Sequence, residues 1–179
     1  DDNGKLPLLA CVQAAEKALM DKAAPRGYLP IDGIAAYDNA VKALVFGADS
    51  EPVTSGRVAT VQAIGGTGGL KIGADFLKRL NPNAKVLISD PSWENHRALF
   101  TNAGFEVDTY AYYDAAKRGV NFDGMLASLN AAAAGTIVVL HACCHNPTGY
   151  DITPAQWDEV IAVLKARGLV PFLDMAYQG

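Results

Sequence analysis

The sequence is poor in cysteine, with three thiols in 179 residues, and two of them, Cys143 and Cys144, are neighbours. An odd count cannot pair completely, and a disulfide between adjacent residues is strained. A disulfide scaffold is therefore excluded, and the expectation is buried free thiols in a reducing compartment, hence a cytoplasmic protein. Cys143-Cys144-His145 also lacks the two-residue gap and the second ligand pair of a structural zinc site, so no metal is expected. Long hydrophobic runs are missing as well. The longest, Thr136 to Cys144, has the length of a strand and falls well short of the roughly 20 residues of a membrane helix. Charge of one sign is never concentrated: 15 basic and 19 acidic residues give a net −4 without a block of either. That argues against nucleic acid or an anionic membrane as partner, since both favour a basic stripe. There is no internal repeat and no low-complexity linker. The first residue is not methionine, Asp1-Asp2-Asn3-Gly4 has the composition of an internal turn, and the chain stops at Gly179 straight after a predicted strand. The expectation is a domain truncated at both ends.

Half of the residues are hydrophobic, enough at this length for one substantial core. Helical and strand-like segments alternate throughout, separated by short glycine, proline and asparagine punctuation, which is the pattern of a three-layer α/β/α fold with a mostly parallel sheet. The spacing predicts helical stripes through Leu8, Val12, Ala15 and Leu19, and through Ile34, Tyr37, Val41 and Leu44. Two crossover helices follow, one through Leu70, Ala74, Leu77 and Leu80 and one through Trp157, Val160, Ile161 and Leu164. The latter opens on the capping box Thr153-Pro154-Ala155-Gln156 and ends at Gly168. Strands are expected at 57–64, 85–89, 106–112, 136–142 and 170–174, several of them continuous apolar runs suited to burial on both faces. Ala131 to Ala134 reads as the end of a helix, because alanine is the strongest helix former.

Four constellations follow predicted strands. Gly65-Gly66-Thr67-Gly68-Gly69 precedes a helix, where glycines permit close approach and the helix start offers free amides to an anion. It serves equally as a plain tight turn, and it is neither a Walker loop nor the dinucleotide fingerprint. In Asp90-Pro91-Ser92-Trp93-Glu94-Asn95-His96, Ser92 suits an N-cap. Trp93 there is either core packing or a cover for a flat ligand, and His96 is either a satisfied helix residue or a group orienting a carboxylate. His141-Ala142-Cys143-Cys144-His145-Asn146-Pro147-Thr148-Gly149 reads as a turn or as a device presenting the Asn146 amide at the sheet's carboxyl edge. Finally, Asp174 closes an apolar strand in Phe172-Leu173-Asp174-Met175-Ala176-Tyr177-Gln178-Gly179, where an ionised carboxylate requires a cationic partner. That partner is either an arginine or the protonated ring nitrogen of a cofactor. All four motifs fall at one edge of one predicted sheet, which marks a ligand site.

In this order and spacing, Tyr28-Leu29-Pro30-Ile31-Asp32-Gly33, Gly65-Gly66-Thr67-Gly68, Ser92-Trp93-Glu94-Asn95-His96, Cys143 to Gly149 and Asp174 to Gly179 resemble the fold-type I, class I aminotransferases, in their aspartate and aromatic (tyrosine) subgroup. The resemblance spans essentially the whole chain. It implies pyridoxal 5'-phosphate as cofactor, residues 1–27 as an N-terminal helix and linker at a domain junction, and residues 28–179 as an incomplete cofactor-binding large domain. It implies that Asp174 pairs with the pyridine nitrogen and keeps it protonated, and that Tyr177 and Asn146 donate to the ring's phenolic oxygen. Trp93 then stacks on the ring, Gly66 and Thr67 cradle the phosphate, and His96 holds the aspartate with His141 as companion. Tyr28 reaches the phosphate of a neighbouring subunit, so a homodimer with shared sites is implied.

The implied reaction is a ping-pong transfer of an amino group from an aromatic amino acid or aspartate to a 2-oxo acid such as 2-oxoglutarate. The lysine that forms an imine with the cofactor is absent from this chain: none sits in the family's Ser-x-Ser-Lys setting, so no catalytic residue is assigned and little turnover is expected of this segment alone. Phe46-Gly47-Ala48-Asp49, Arg57-Val58-Ala59-Thr60 and Asp75 to Leu80 lean toward bacterial aromatic members. The rival readings are a non-catalytic cofactor-binding module and a nicotinamide dehydrogenase using Asp90 for a ribose. The second leaves the asparagine and aspartate motifs without a role.

Overall fold

A computed structural model describes residues 3–178. Asp1 and Asp2 of the expected turn, and Gly179, lie outside the described residues. The elements run α1 (Ala10–Lys22), α2 (Ala35–Phe46), α3 (Glu51–Thr54), α4 (Gly65–Leu80), β1 (Lys85–Asp90), α5 (Glu94–Asn102), β2 (Glu106–Ala111), β3 (Tyr113–Asp114), β4 (Gly119–Val120), α6 (Phe122–Ala131), β5 (Ile137–His141), α7 (Pro154–Arg167) and β6 (Val170–Asp174). Four strands form a parallel sheet in the order β2-β1-β5-β6, and β3 and β4 make a separate short hairpin. The expected α/β architecture with a parallel sheet is what the chain adopts.

The central strand β5 shows why. Its apolar run leaves both faces in need of cover, and alternate side chains enter two cores. Val138 and Leu140 pack with Tyr110, Met125, Leu129, Val160 and Leu164 against α6 and α7. Ile137 and Val139 pack with Ala74, Val86, Phe100 and Phe105 against α4 and α5. Gly73 lets α4 lie close on the sheet, because a Cβ there would stand 2.8 Å from the Phe172 ring. The capping box of α7 forms as expected, with Thr153 accepting from the Gln156 amide and Gly168 closing the helix in the left-handed conformation.

Several expectations are corrected. The segment 57–64 forms no strand. Its backbone ties are a local bond from the Arg57 amide to Pro52 and a single long-range bond from the Gln62 amide to Asp32, and apolar alternation does not make a strand without a ladder partner. The alanine run leaves the helix after Ala131, because Gly135, at φ +81°, turns the chain into β5. Ser92 is not the cap of α5; Trp93 occupies that position and the Ser92 hydroxyl bonds the His96 ring instead. The thiols are not buried: Cys11 and Cys144 are exposed and Cys143 is half-buried, because the latter two lie in a loop beyond the end of β5. The stripe of α1 is apolar yet covers nothing, with no residue of the helix buried. Leu80 and Ile161 are likewise exposed at the rims of their helices. Among the described residues no helix is long and apolar enough to cross a membrane.

Candidate active site

The carboxyl ends of β1, β5 and β6 open onto a cleft of about 1060 Å³, whose walls include Gly66, Trp93, His141, Asn146, Asp174 and Tyr177. Parallel strands place their following loops at one edge, so the three motifs that follow β1, β5 and β6 converge here, and the glycine motif joins them as the start of α4 with no strand before it. Six of the nine expected site residues line it and two more adjoin it. Thr67 continues the helix start beside Gly66, with its side chain exposed, and His96 lies directly behind the cleft wall. Tyr28 stands apart and is fully exposed.

One end of the cleft is built around Asp174. His96, wholly buried, donates from Nε2 to the Asp174 carboxylate at 2.7 Å, and its Nδ1 lies 2.8 Å from the Ser92 hydroxyl. A carboxylate only accepts, so the proton sits on Nε2, and in the neutral ring Nδ1 accepts from Ser92. This bond is the main reason the Asp174 pKa lies below the ordinary carboxylate value, outweighing the opposing effect of burial. The result is a fixed negative charge at the end of an apolar strand, with 19% of its side chain open to the cleft. Trp93 meets His96 edge-on at 5.4 Å.

His141 lies between His96 and His145, with ring centroids 5.0 and 4.2 Å away. Both of its ring nitrogens are buried and have no hydrogen-bond partner among the described residues. Burial first, and the neighbouring His96 second, lower its pKa to about 4, so it is neutral at pH 7. Ligand atoms of His96, His141 and Asp174 lie within 4.8 Å of one another, but the His96–Asp174 hydrogen bond already engages two of the three groups.

Sequence reasoning missed three contributors. His145 is buried and bridges Ser89 at 2.9 Å and Thr148 at 2.8 Å. Asp151 accepts from the backbone amides of Cys144 and His145 at 2.7 and 2.8 Å. Gln62 binds the amide of Ile34 with its side chain, and Gly33, at φ +100°, gives it room, since a Cβ there would come within 2.3 Å of Gln62. The available signal was an aspartate just after a turn, a residue type whose side chain bonds nearby backbone amides.

The other end is the start of α4. No side chain caps it, and Gly65 and Gly66 face open space, leaving amides and the positive end of the helix dipole directed at the cleft.

The family model for aminotransferases of class I and II matches residues 1–179. The chain belongs to that family. Its curated relatives include an aspartate aminotransferase from Pseudomonas aeruginosa, 65% identical over all of this chain and 45% of its own length. They also include an aromatic-amino-acid aminotransferase from Escherichia coli, 53% identical over all of this chain and 45% of its own. Among solved structures, an aromatic-amino-acid aminotransferase from Burkholderia pseudomallei, covalently bound to pyridoxal phosphate, superposes with a TM-score of 0.93. Its identity is 67%, covering 99% of this chain and 44% of that one. The chain thus spans about 45% of the length of the relatives it matches.

Proposed function

We propose that this chain supplies the cofactor-holding wall of a pyridoxal-phosphate-dependent aminotransferase that moves an amino group from an aromatic amino acid or aspartate to a 2-oxo acid such as 2-oxoglutarate in a ping-pong cycle. Names of both kinds occur among the relatives, and the aromatic preference rests on the segments quoted from the sequence.

The residues present fit the cofactor. A carboxylate held ionised without a lysine or arginine partner among the described residues calls for a ring cation, an uncapped helix start calls for a phosphate, and an exposed asparagine amide and tyrosine hydroxyl between them suit a phenolic oxygen. Bound there, pyridoxal phosphate supplies an electron sink for the bonds at a substrate's α-carbon. Asp174 holds a proton on the pyridine nitrogen, and His96 and Ser92 keep that carboxylate ionised and correctly aimed. Trp93 covers one ring face. Asn146 and Tyr177 donate to the phenolic oxygen, Gly66 and Thr67 bind the phosphate through the helix start, and His141 backs Asp174. Tyr28, having no contact with the cleft of its own chain, reaches a second subunit's phosphate in a homodimer. Residues 1–27 belong to the junction and residues 28–179 to the large domain. Exposed free thiols suit a reducing cytoplasm. The single observation that carries this reading is the Asp174–His96–Ser92 relay facing an open cleft.

A second reading, a cofactor-binding module without catalysis, draws on the absence of lysine from the cleft lining among the described residues. One measurement separates the two: absorbance with added pyridoxal phosphate before and after borohydride, alongside intact mass. A borohydride-fixed adduct at a mass above 18.9 kDa supports the transaminase. Reversible binding without fixation supports the module, and an unchanged cofactor spectrum refutes both.

A further inference from the structure

We propose that Asp151 is a positioning residue that sets the loop presenting Asn146, acting with buried His145 as a two-point clamp. The inference rests on the reading of Asn146 as a donor to the cofactor ring.

Both carboxylate oxygens of Asp151 are engaged, one on the Cys144 amide and the other on the next amide, that of His145. Two successive amides aimed at one anion form a backbone nest, which requires a left-handed residue, and Cys144 adopts it at φ +52°. A non-glycine residue does so at a cost, which charge-assisted bonds to Asp151 offset. No lysine or arginine pairs with Asp151 among the described residues, so the nest is its principal partner.

The second point is His145. Its ring stacks on Tyr112 at 3.9 Å and 14°, and its two nitrogens reach Ser89 at the end of β1 and Thr148 on the far side of Asn146. Burial first, and neighbouring His141 second, lower its pKa to about 4, so the ring is neutral and its bonds do not change near pH 7. The Gly149 amide returns to the His145 carbonyl, and the Tyr112 hydroxyl donates to the Tyr150 carbonyl. Asn146 is thus exposed, with no side-chain hydrogen bond among the described residues, while the backbone on both sides is fixed. Releasing Asp151 frees Cys144 to leave the left-handed region and swings Asn146, two residues on, away from its mark.

The test is a double-mutant cycle in the full-length protein, comparing wild type, Asp151→Asn, Asn146→Ala and the double variant. It reads pyridoxal phosphate affinity, the absorbance maximum of the bound cofactor and hydrogen exchange at the Cys144 and His145 amides. Asp151→Asn should speed exchange at both amides, weaken cofactor binding by about tenfold and shift the maximum in the direction given by Asn146→Ala. In the Asn146→Ala background the same substitution should still speed exchange but change affinity by less than about twofold. Asp151→Glu, which keeps the charge, should restore part of the affinity. An undiminished Asp151→Asn effect in the Asn146→Ala background, or amides that stay protected in Asp151→Asn, overturns the clamp while leaving the aminotransferase reading intact. A wild type that shows no bound-cofactor band overturns that reading and the role of Asn146 with it.

Discussion

The two halves of the chain carry similar apolar patterning and use it differently. From β1 to β6 the pattern is converted into burial: Val86, Phe100, Ile137, Val138, Val139 and Val160 are all at most 1% exposed. From residue 3 to 64 it is not, since α1 buries nothing and α2 buries only Asp38. The proposed site divides along the same line. Asp174, His96 and His145 belong to the buried half and have their partners within hydrogen-bond distance, whereas Tyr28 and the approach to Gly66 belong to the bare half. The difference teaches that periodicity reports which face of an element seeks a partner and is silent on whether this chain supplies one.

The largest test of this division strikes the built end of the site. Asp174→Ala in the full-length protein should lower kcat by on the order of 10²- to 10³-fold, since it removes a preorganised charge and strands a buried histidine. Asp174→Asn, nearly isosteric, should lose almost as much if the charge matters and little if shape alone does. Next is the core beneath it. Phe100→Ala deletes a fully buried ring packed edge-on against Phe172, and should cost about 3–5 kcal/mol in denaturant unfolding. A loss under about 1 kcal/mol would mean that the buried half is not where stability resides.

A third test uses pH. His141 and His145 both have folded pKa values lowered from 6.5 to about 4. Between those values the unfolded chain binds more protons than the folded one, so stability is complete above about pH 6.5 and is lost as pH falls toward 4. The melting temperature should fall through that window, and His145→Gln should flatten the fall. Asp174, with its folded pKa lowered, adds a further loss only below its unfolded value of 3.8. A melting temperature level from pH 7 to 4.5 would contradict the burial assigned to both rings.

Much of this was legible in the sequence. Four of the five predicted strands form, because continuous Val/Ile/Leu runs such as Ile137 to Leu140 have no other economical conformation between two helical layers. The capping box at Thr153 was readable because both of its bonds are local. The segment 57–64 misled because a strand needs a ladder, and no residue's neighbours in sequence reveal that. Asp174, Asn146 and Trp93 stood out as candidates because polar or aromatic residues closing apolar strands are conspicuous, and the fold brings all three to one cleft. Asp151 and His145 were not, since their importance lies in which backbone amides and hydroxyls the folded loop brings to them.

The smallest expected effect falls on the bare half and is the most discriminating. Val12 on α1 is 47% exposed, so Val12→Ala in the 179-residue chain removes little buried surface, while alanine is the better helix former. The two terms oppose each other, and the unfolding free energy should change by less than about 0.5 kcal/mol. In the full-length protein, where the proposed dimer and junction would cover the stripe through Leu8, Val12 and Leu19, the same substitution should cost about 1 kcal/mol or more, as for a buried methyl pair. A neutral result in both would mean that the apolar face of α1 is solvated in the assembled protein as well. The contrast between the halves would then reflect a true surface helix rather than an unfilled interface.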